Sequence, residues 1–211
     1  MALKSTRKNK VVKAWMDAHV NDPWVKEAAR RGYRSRAAFK LIELAERDHL
    51  FKPGMRAVDL GAAPGSWTQV LRERLGPKAT IVAIDLLPMD PIGGVKVVQA
   101  DFREDRGVAA LHEALGEDKI DLVVSDMSPN LSGVDAADQA RAVHLGELAL
   151  DFARSRLQPE GDLVVKAFQG AGFAQLRRGL EAHFTKVYVR KPKASRDRSR
   201  EVYLVGKALN G

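Results

Sequence analysis

The sequence predicts an α/β protein in which helices cover both faces of a mostly parallel sheet. Runs rich in Val, Ile and Leu alternate with stretches in which apolar residues recur at helical spacing. Near-continuous apolar strands of this kind are typical of parallel sheets buried on both sides. A glycine-containing loop follows the first strand, and carboxylates stand at the ends of later strands, where such sheets bind ligands. The seven predicted strands cover residues 56–60, 80–85, 95–100, 120–125, 161–167, 186–190 and 201–206.

The helical patterns include a basic segment at the start of the chain. They cover residues 10–18, 22–31, 35–48 and 138–157. Ser35 is the predicted N-cap of the third helix. Residues 1–34 are expected to be a basic helical extension of one domain that spans residues 1–211. In this extension, Trp15 and Trp24 either stack on nucleic-acid bases or anchor the helices to the core, and the second interpretation is favoured.

Composition limits the classes of protein to consider. With 211 residues, 45% of them hydrophobic, the chain can bury one substantial core. It has no cysteine, and its five histidines lack the spacing of metal ligands, so we expect no disulfide and no metal site. The first residues lack an apolar segment long enough to span a bilayer. We therefore expect a cytoplasmic protein without membrane contact, and a monomer.

The positive charge is concentrated in two segments. Of the formal net charge of +8, residues 1–40 carry eleven Lys or Arg against three acids, and residues 190–200 carry six against one. Two basic segments flanking an acidic remainder are the pattern expected for a protein that binds a polyanion on one side. The alternative is a pair of solvated faces that keep the protein soluble.

The loop after the first strand has the composition of a cofactor site. Gly61 and Gly65 permit positive φ and a close approach of a ligand, and the helix that begins after Pro64 points N–H groups toward it. A dinucleotide fingerprint would read G-x-G-x-x-G, but the small residues after Gly61 are Ala62 and Ala63, and Pro64 removes a backbone donor, so a pyrophosphate is disfavoured. The pattern instead resembles the first motif of S-adenosylmethionine-dependent methyltransferases. A tight turn without a ligand is the alternative.

Acids at the ends of the next two strands strengthen the cofactor interpretation. Asp85 follows the glycine loop by about twenty residues, the spacing at which α/β sheets present a carboxylate to ribose hydroxyls. Asp101 comes just after the third strand, where it can accept from an adenine amino group while Phe102 or a neighbouring residue packs on the ring. Each acid alone is better explained as an exposed polar residue or a helix N-cap. Together with the glycine loop they form one constellation.

Three further charged residues stand at strand ends. Asp126 ends the fourth strand and is expected to face the ligand crevice. Its segment resembles the Asp-Pro-Pro-Tyr signature of base methylases, but Asn130 replaces the stacking aromatic, which counts against base methylation. Lys166 interrupts an apolar strand and needs a partner such as Asp126, unless its amine reaches solvent. Glu201 alone would be taken for a surface residue.

Several short motifs in fixed order resemble the FtsJ/RrmJ family of ribosomal RNA ribose methyltransferases. They cover residues 35–41, 51–55, 58–65, 85–90, 125–130, 165–170 and 199–203. The resemblance implies a Rossmann-like S-adenosylmethionine-dependent methyltransferase fold, with seven strands of which the last is antiparallel. It also implies a catalytic tetrad around the target 2′-hydroxyl, formed by Lys40, Asp126, Lys166 and Glu201. The implied S-adenosylmethionine contacts are Gly65, Trp67, Asp85, Asp101 and Asp126, with Gly61, Ala62, Pro64 and Phe102 completing the predicted site.

The same resemblance implies the substrate, a uridine in the A-loop of large-subunit ribosomal RNA within an assembled or late-assembling subunit. The predicted RNA contacts are Arg34, Arg36, Lys193, Arg196, Arg198 and Arg200. Ribose methylation of transfer RNA or of a messenger cap is the nearest alternative. A non-enzymatic RNA-binding assembly factor and a nicotinamide oxidoreductase are alternatives from other classes.

Lys166 is the predicted central catalytic group, and its protonation state stays open. Desolvation and the charge of Lys40 favour a neutral amine that acts as general base, whereas Asp126 and Glu201 favour an ammonium that orients the reacting oxygen.

Overall fold

The computed structural model describes residues 21–130, 132–196 and 199–211. The strands are β1 Arg56–Leu60, β2 Thr80–Asp85, β3 Val95–Gln99, β4 Ile120–Ser125, β5 Leu157–Phe168, β6 Phe184–Arg190 and β7 Glu201–Leu209. The helices are α1 Pro23–Arg31, α2 Ala37–Asp48, α3 Ser66–Leu75, α4 Asp105–Leu115, α5 Asp135–Arg156 and α6 Phe173–Glu181. The predicted helix over residues 10–18, and Trp15 within it, lie outside the described residues.

The strands form one sheet in the order β3-β2-β1-β4-β5-β7-β6. Strands β1 to β5 pair in parallel, and β7 lies antiparallel between β5 and β6. This confirms the predicted fold. The chain runs outward from β1 to β3 and then returns to place β4 on the other side of β1. That change of direction creates a crevice at the carboxyl ends of β1 and β4, where open α/β sheets bind their ligands.

The register of the sheet aligns the strand ends of the predicted site. Leu60 of β1 pairs with Ser125 of β4, and Ser125 pairs with Val165 of β5. The residues that follow, Gly61, Asp126 and Lys166, therefore stand in a row along the carboxyl edge.

A layer of helices covers each face of the sheet, as predicted from the continuous apolar strands. Helices α2 and α3 pack on one face through Leu41, Leu44, Val70 and Leu71. Helices α4, α5 and α6 pack on the other through Leu111, Ala149, Phe152, Leu176 and Leu180. No helix in the described ranges is both long and apolar enough to cross a bilayer.

Helix boundaries differ slightly from those predicted. Helix α1 begins after Asp22, whose side chain caps it by accepting from the Trp24 N–H at 2.9 Å. Helix α2 begins two residues later than expected, with Arg36 and not Ser35 at the N-cap position. The Ser35 hydroxyl still accepts from the Ala37 N–H at 3.2 Å. Trp24 packs against Phe39, with ring centres 5.2 Å apart, which agrees with the packing interpretation.

Candidate active site

Lys166 and Asp126 form the centre of the site. The Lys166 Nζ lies 2.8 Å from the Asp126 carboxylate Oδ1 and donates to the Asp126 backbone carbonyl, also at 2.8 Å. The strand register brings these residues side by side, so the lysine finds its partner on the neighbouring strand. Lys166 is only 9% exposed. A lysine at this depth requires such a partner because the desolvation of an isolated ammonium is costly.

Helix α2 and strand β7 complete the predicted tetrad. Lys40 is on α2, and its Nζ lies 2.7 Å from the Glu201 Oε1. Glu201 Oε2 lies 3.9 Å from the Lys166 Nζ. The structure thus brings together Lys40, Asp126, Lys166 and Glu201, which are far apart along the chain. We call these four residues, with Tyr203, the edge cluster.

Tyr203 was missed by the sequence analysis. Its hydroxyl donates to Asp126 Oδ1 at 2.6 Å and accepts from Lys40 Nζ at 3.1 Å. Alternation along β7 could have identified it, because residues two apart on a strand lie on the same face and Glu201 was already a candidate. Ser195 was also missed, and its hydroxyl donates to Glu201 Oε1 at 3.0 Å. No local pattern marks Ser195, which lies in the loop before β7.

The charges of the edge cluster compensate one another. Two lysines and two carboxylates alternate around the Tyr203 hydroxyl, so each buried charge has an opposite neighbour. Burial acts to raise the pKa of Asp126, but the charges of Lys166 and Lys40 outweigh it and hold that pKa below its ordinary value. Burial, together with the charges of Asp126 and Glu201, raises the pKa of Tyr203 well above its ordinary value. Tyr203 is therefore a neutral hydrogen-bond donor at physiological pH.

The glycine turn lies next to the edge cluster. Gly61 and Gly65 have φ of 75° and 106°. A Cβ at Gly61 would stand 2.5 Å from Met127 Cγ and 3.0 Å from the Met127 Cα, so this position requires glycine for space as well as for conformation. Asp85 supports the turn by accepting from the Ala63 N–H at 2.9 Å. The turn is thus held in shape by one of the acids predicted to bind a ligand.

A buried acid lies beneath the turn. Asp59 is fully buried and accepts from the Thr68 hydroxyl at 2.6 Å through Oδ2. Its other oxygen, Oδ1, has no hydrogen-bond partner among the described residues. Burial, with a smaller contribution from the charges of Asp126 and Asp85, raises the pKa of Asp59 to about 7.

The groups around the turn fit a ligand that carries both donors and a carboxylate. The first N–H groups of α3, at Ser66 and Trp67, have no intrahelical partner and favour an anion. Asp85 ends β2, and Asp101 and Asp126 follow the ends of β3 and β4 along the same edge, where their carboxylates offer acceptors to hydroxyl or amino groups.

Two aromatic residues of the predicted cofactor site face the core. The Trp67 indole is 2% exposed and donates to the Ala37 carbonyl at 2.8 Å. The Phe102 ring packs edge-on against Phe152, with centres 5.6 Å apart. The expectation that the Phe102 ring packs on an adenine is therefore corrected, because the ring is used in the core.

Asp101 has an ion pair of its own. Its carboxylate accepts from the Arg103 side chain, with Nε at 2.9 Å, and from the Arg103 N–H. The hydrogen bond with Arg103 lowers the pKa of Asp101 to about 2. Asp101 is thus a permanent carboxylate at neutral pH.

Two of the predicted RNA contacts have structural partners. Arg34 donates to the carbonyls of Pro64 and Asp90, both at 2.9 Å, and so ties the glycine turn to the loop after β2. Arg36 pairs with Asp22 and the Ala194 carbonyl. Because these guanidinium groups are already bonded within the protein, phosphate contacts from them would require breaking those bonds.

The remaining predicted RNA contacts lie around the loop before β7. Lys193 and Arg196 are exposed in this loop. Arg200 is half exposed and pairs with Asp135 of α5. Arg198 lies outside the described residues. The exposed cations of this loop stand beside the edge cluster, because the loop leads directly into Glu201.

The fold and the edge cluster define the class of this protein as an α/β methyltransferase. A family model described as FtsJ-like methyltransferase matches residues 33–209, and the chain belongs to that family. The resemblance noted in the sequence is thereby confirmed.

Similar proteins carry related names. The chain is 56% identical over 200 residues to "Ribosomal RNA large subunit methyltransferase E" of Azoarcus sp. strain BH72, covering 95% of this chain and 98% of that protein. It is 54% identical over 200 residues to the protein of the same name from Nitrosospira multiformis, covering 95% and 97%. A crystal structure of a ribosomal RNA methyltransferase from Plasmodium falciparum superposes with a TM-score of 0.74 at 34% identity, covering 85% of this chain and all of that one.

Proposed function

We propose that this protein transfers a methyl group from S-adenosylmethionine to the 2′-hydroxyl of a uridine in large-subunit ribosomal RNA, within the assembled or late-assembling subunit. The observation that carries the proposal is the edge cluster, which places a buried lysine between two carboxylates beside a cofactor-type glycine turn. The names of the relatives support the choice of RNA. The cluster offers groups for handling a hydroxyl proton, as transfer to a ribose oxygen requires.

The residues around the glycine turn suit S-adenosylmethionine. The N–H groups that begin α3 are placed for the carboxylate of its methionine part, and Asp85 for its ribose hydroxyls. Asp101, with the Phe102 backbone, is placed for the adenine, and Asp126 stands between this site and Lys166. When bound, the cofactor supplies a methyl group activated by its positive sulfonium.

Lys166 is the group placed to hold the ribose oxygen. Two of its hydrogen-bonding positions are taken by the carbonyl and carboxylate of Asp126. The remaining position is available to the 2′-oxygen, as a lone pair in the neutral amine or as an N–H in the ammonium. In the first form Lys166 removes the hydroxyl proton, and in the second it stabilises the developing alkoxide. With the methyl group supplied by the bound cofactor, the 2′-hydroxyl would lose its proton to Lys166 or to water.

Alignment is the larger contribution of the protein. Holding the ribose oxygen in line with the methyl carbon replaces a bimolecular encounter by an oriented one, which is worth several orders of magnitude in rate. The Asp126 and Glu201 carboxylates restrict Lys166 from two sides, and Tyr203 restricts Asp126. Each group of the cluster is thereby held in one position before the substrate arrives.

We further propose a cytoplasmic monomer that binds the ribosomal subunit directly. Among the described residues, the exposed large apolar side chains are only Leu86, Leu87, Val97 and Val134. They are too few for a large apolar interface between copies of the chain.

Mapping 2′-O-methylated nucleotides in ribosomes from cells with and without this protein tests the proposal. One methylated uridine of large-subunit RNA should be lost in the absence of the protein and restored by the wild-type chain, but not by Lys166→Ala. An unchanged ribosomal map with a methyl group missing from transfer RNA or from messenger caps would reject the substrate. Full rescue of a subunit-assembly defect by Lys166→Ala would instead indicate a non-enzymatic assembly factor.

A further inference from the structure

A cavity of about 310 Å³ lies beside the edge cluster. Its wall is formed by chain segments that continue from three strands of the cluster. Pro129 follows Asp126 by three residues, Phe168 follows Lys166 by two, and Arg200 directly precedes Glu201. The first turns of α5 close the other side. None of the groups that handle the cofactor or the ribose oxygen occupies this space.

We propose that this cavity binds the base of the nucleotide whose ribose is methylated, and that Arg200, Asp135 and Gln139 recognise that base as uracil. The inference rests on the proposed function, and it adds a base-recognition site to the edge cluster that acts on the ribose.

The position of the cavity suits the base of the target nucleotide. In a nucleotide, the base is attached to the ribose carbon next to the one that carries the 2′-hydroxyl. A base must therefore lie within a few ångströms of the oxygen held by Lys166. Successive strand residues are about 3.3 Å apart, so Phe168 stands within two such steps of Lys166. Pro129, Phe168 and Ala142 provide apolar wall for the faces of the ring.

Three polar groups of the cavity, from Arg200, Asp135 and Gln139, form a donor–acceptor–donor row. Asp135 is in the middle, where Oδ1 accepts from the Arg200 guanidinium and Oδ2 accepts from Gln139 Nε2 at 3.2 Å. The Gln139 amide is oriented by a second bond, because its Oε1 accepts from the Ala171 N–H at 2.9 Å. Its NH₂ group therefore faces Asp135 and the cavity. Arg200 and Gln139 have further N–H groups for a ligand.

The donors and acceptor of this row are complementary to the hydrogen-bonding edge of uracil but not to that of cytosine. Uracil presents an acceptor, a donor and an acceptor in order, at O4, N3–H and O2. Arg200 and Gln139 can donate to the two oxygens while Asp135 accepts from N3–H. Cytosine has an amino donor in place of O4 and an unprotonated N3, so a donor would face a donor and a lone pair would face the carboxylate. Such mismatched polar pairs discriminate between the two bases once the bound nucleotide shields the row from water.

The exposure and the charge of the Arg200–Asp135–Gln139 row suit the recognition of an incoming base. Asp135 and Arg200 are 70% and 55% exposed, so an RNA can reach them. Asp135 is in the first turn of α5, where the helix dipole stabilises a negative charge. The hydrogen bond from Arg200 also lowers the pKa of Asp135, so its carboxylate remains an acceptor at neutral pH.

Single-turnover methylation tests the proposal with Asp135→Asn, which exchanges one carboxylate oxygen for an amide N–H opposite N3. The substrates are large-subunit particles from cells lacking the protein, with uridine or cytidine at the mapped target. Wild-type enzyme should prefer uridine by about tenfold or more in the single-turnover rate at subsaturating enzyme, and Asp135→Asn should reduce this preference by about tenfold. Cofactor affinity, measured by calorimetry, should not change.

Asp151→Asn is the matched control. Asp151 lies on the same helix and is also paired with an arginine, Arg154, but it does not line the cavity. This variant should keep the wild-type preference. The proposed base site would be overturned if Asp135→Asn kept the wild-type preference for uridine, or if it lost methylation rate equally on both bases. It would also be overturned if the preference changed only when a flanking nucleotide was varied. If the wild-type enzyme methylated neither particle, the proposed function would be overturned as well. That outcome differs from methylation of both particles without a base preference, which would overturn the base site alone.

Discussion

Tyr203 connects the two ion pairs of the edge cluster. Its hydroxyl accepts from Lys40 and donates to Asp126, so a change at one lysine is transmitted to the partner of the other. Its ring also packs on Trp67, with centres 5.6 Å apart, which contributes to the burial of the indole. At the scale of single residues, the cluster is therefore one hydrogen-bonded unit and not a set of independent groups.

Lys166→Ala should reduce the single-turnover rate of methyl transfer by about 10²–10⁴-fold, since both the positioning and the proton-handling group are lost. Cofactor binding should remain, because the predicted contacts of the cofactor lie on other residues. Lys186→Ala, at an exposed lysine of strand β6, is the control and should retain wild-type activity. A rate within a few fold of wild type in Lys166→Ala would contradict the role assigned to this lysine.

Titration of the Asp59 carboxyl should lower the free energy of unfolding as the pH rises. Its pKa in the folded protein, about 7, lies above the ordinary value of 3.8, so the folded state holds this proton more tightly than the unfolded chain. The contribution of Asp59 to stability is therefore fully present below pH 3.8 and is lost as the pH rises toward about 7. Asp59→Asn removes this titration.

Urea unfolding at pH 5 and at pH 8 measures this effect. The free energy of unfolding should fall less between the two pH values in Asp59→Asn than in the wild-type protein. Equal changes in the two proteins would show that Asp59 does not titrate with a raised pKa.

At the scale of elements, the direction of β7 determines which of its residues reaches the site. A parallel strand presents its last residue at the carboxyl edge of the sheet, whereas an antiparallel strand presents its first. Because β7 is antiparallel to β5, Glu201 at its start pairs with Phe168 at the end of β5. The insertion of one reversed strand thus brings a carboxylate, and the basic loop before it, to the catalytic edge.

The turn between β1 and α3 depends on glycine for two separable reasons. Gly61 has a positive φ and faces the Met127 backbone, whereas Gly32 has the same φ, 75°, with a ψ of 16° in the left-handed region, and nothing within 4 Å of its Cβ position. Gly32→Ala should therefore cost about 1–2 kcal/mol, the cost of the left-handed conformation alone. Gly61→Ala should cost more and should abolish cofactor binding, because the turn must move.

Thermal unfolding and cofactor calorimetry on these two variants separate the effects. Similar losses of stability, with cofactor binding retained in Gly61→Ala, would show that the contact with Met127 does not constrain the turn.

At the scale of the whole molecule, α2 holds the basic loop in place. Asp48 of α2 pairs with Arg190, and Glu43 accepts from the Lys193 N–H at 2.8 Å. The same helix supplies Lys40 to the edge cluster. One helix therefore sets the position of the basic loop relative to the catalytic groups.

The double variant Lys193→Ala with Arg196→Ala should weaken binding to large-subunit particles. Removing one side chain that binds a phosphate should reduce the slope of log affinity against log salt by about 1. Arg154→Ala, at an exposed arginine of α5 outside this loop, is the control and should leave the slope unchanged. The same salt slope in the double variant and in the wild-type protein would mean that the two side chains do not bind phosphate.

The sequence by itself determined the alternation of strands and helices, the glycine turn and the acids at strand ends. These features are local, because a strand end and a positive φ are encoded by neighbouring residues. Lys40 and Glu201 could be assigned only through resemblance, since nothing in their own segments distinguishes them from surface residues.

Only the tertiary structure decided which groups meet. Tyr203 and Ser195 join the cluster, Arg34 and Arg36 bind within the protein, and Phe102 turns into the core. Each of these outcomes depends on contacts between segments distant along the chain. The local sequence pattern predicts the secondary structure of a segment, but packing and strand register decide which partner a polar side chain has.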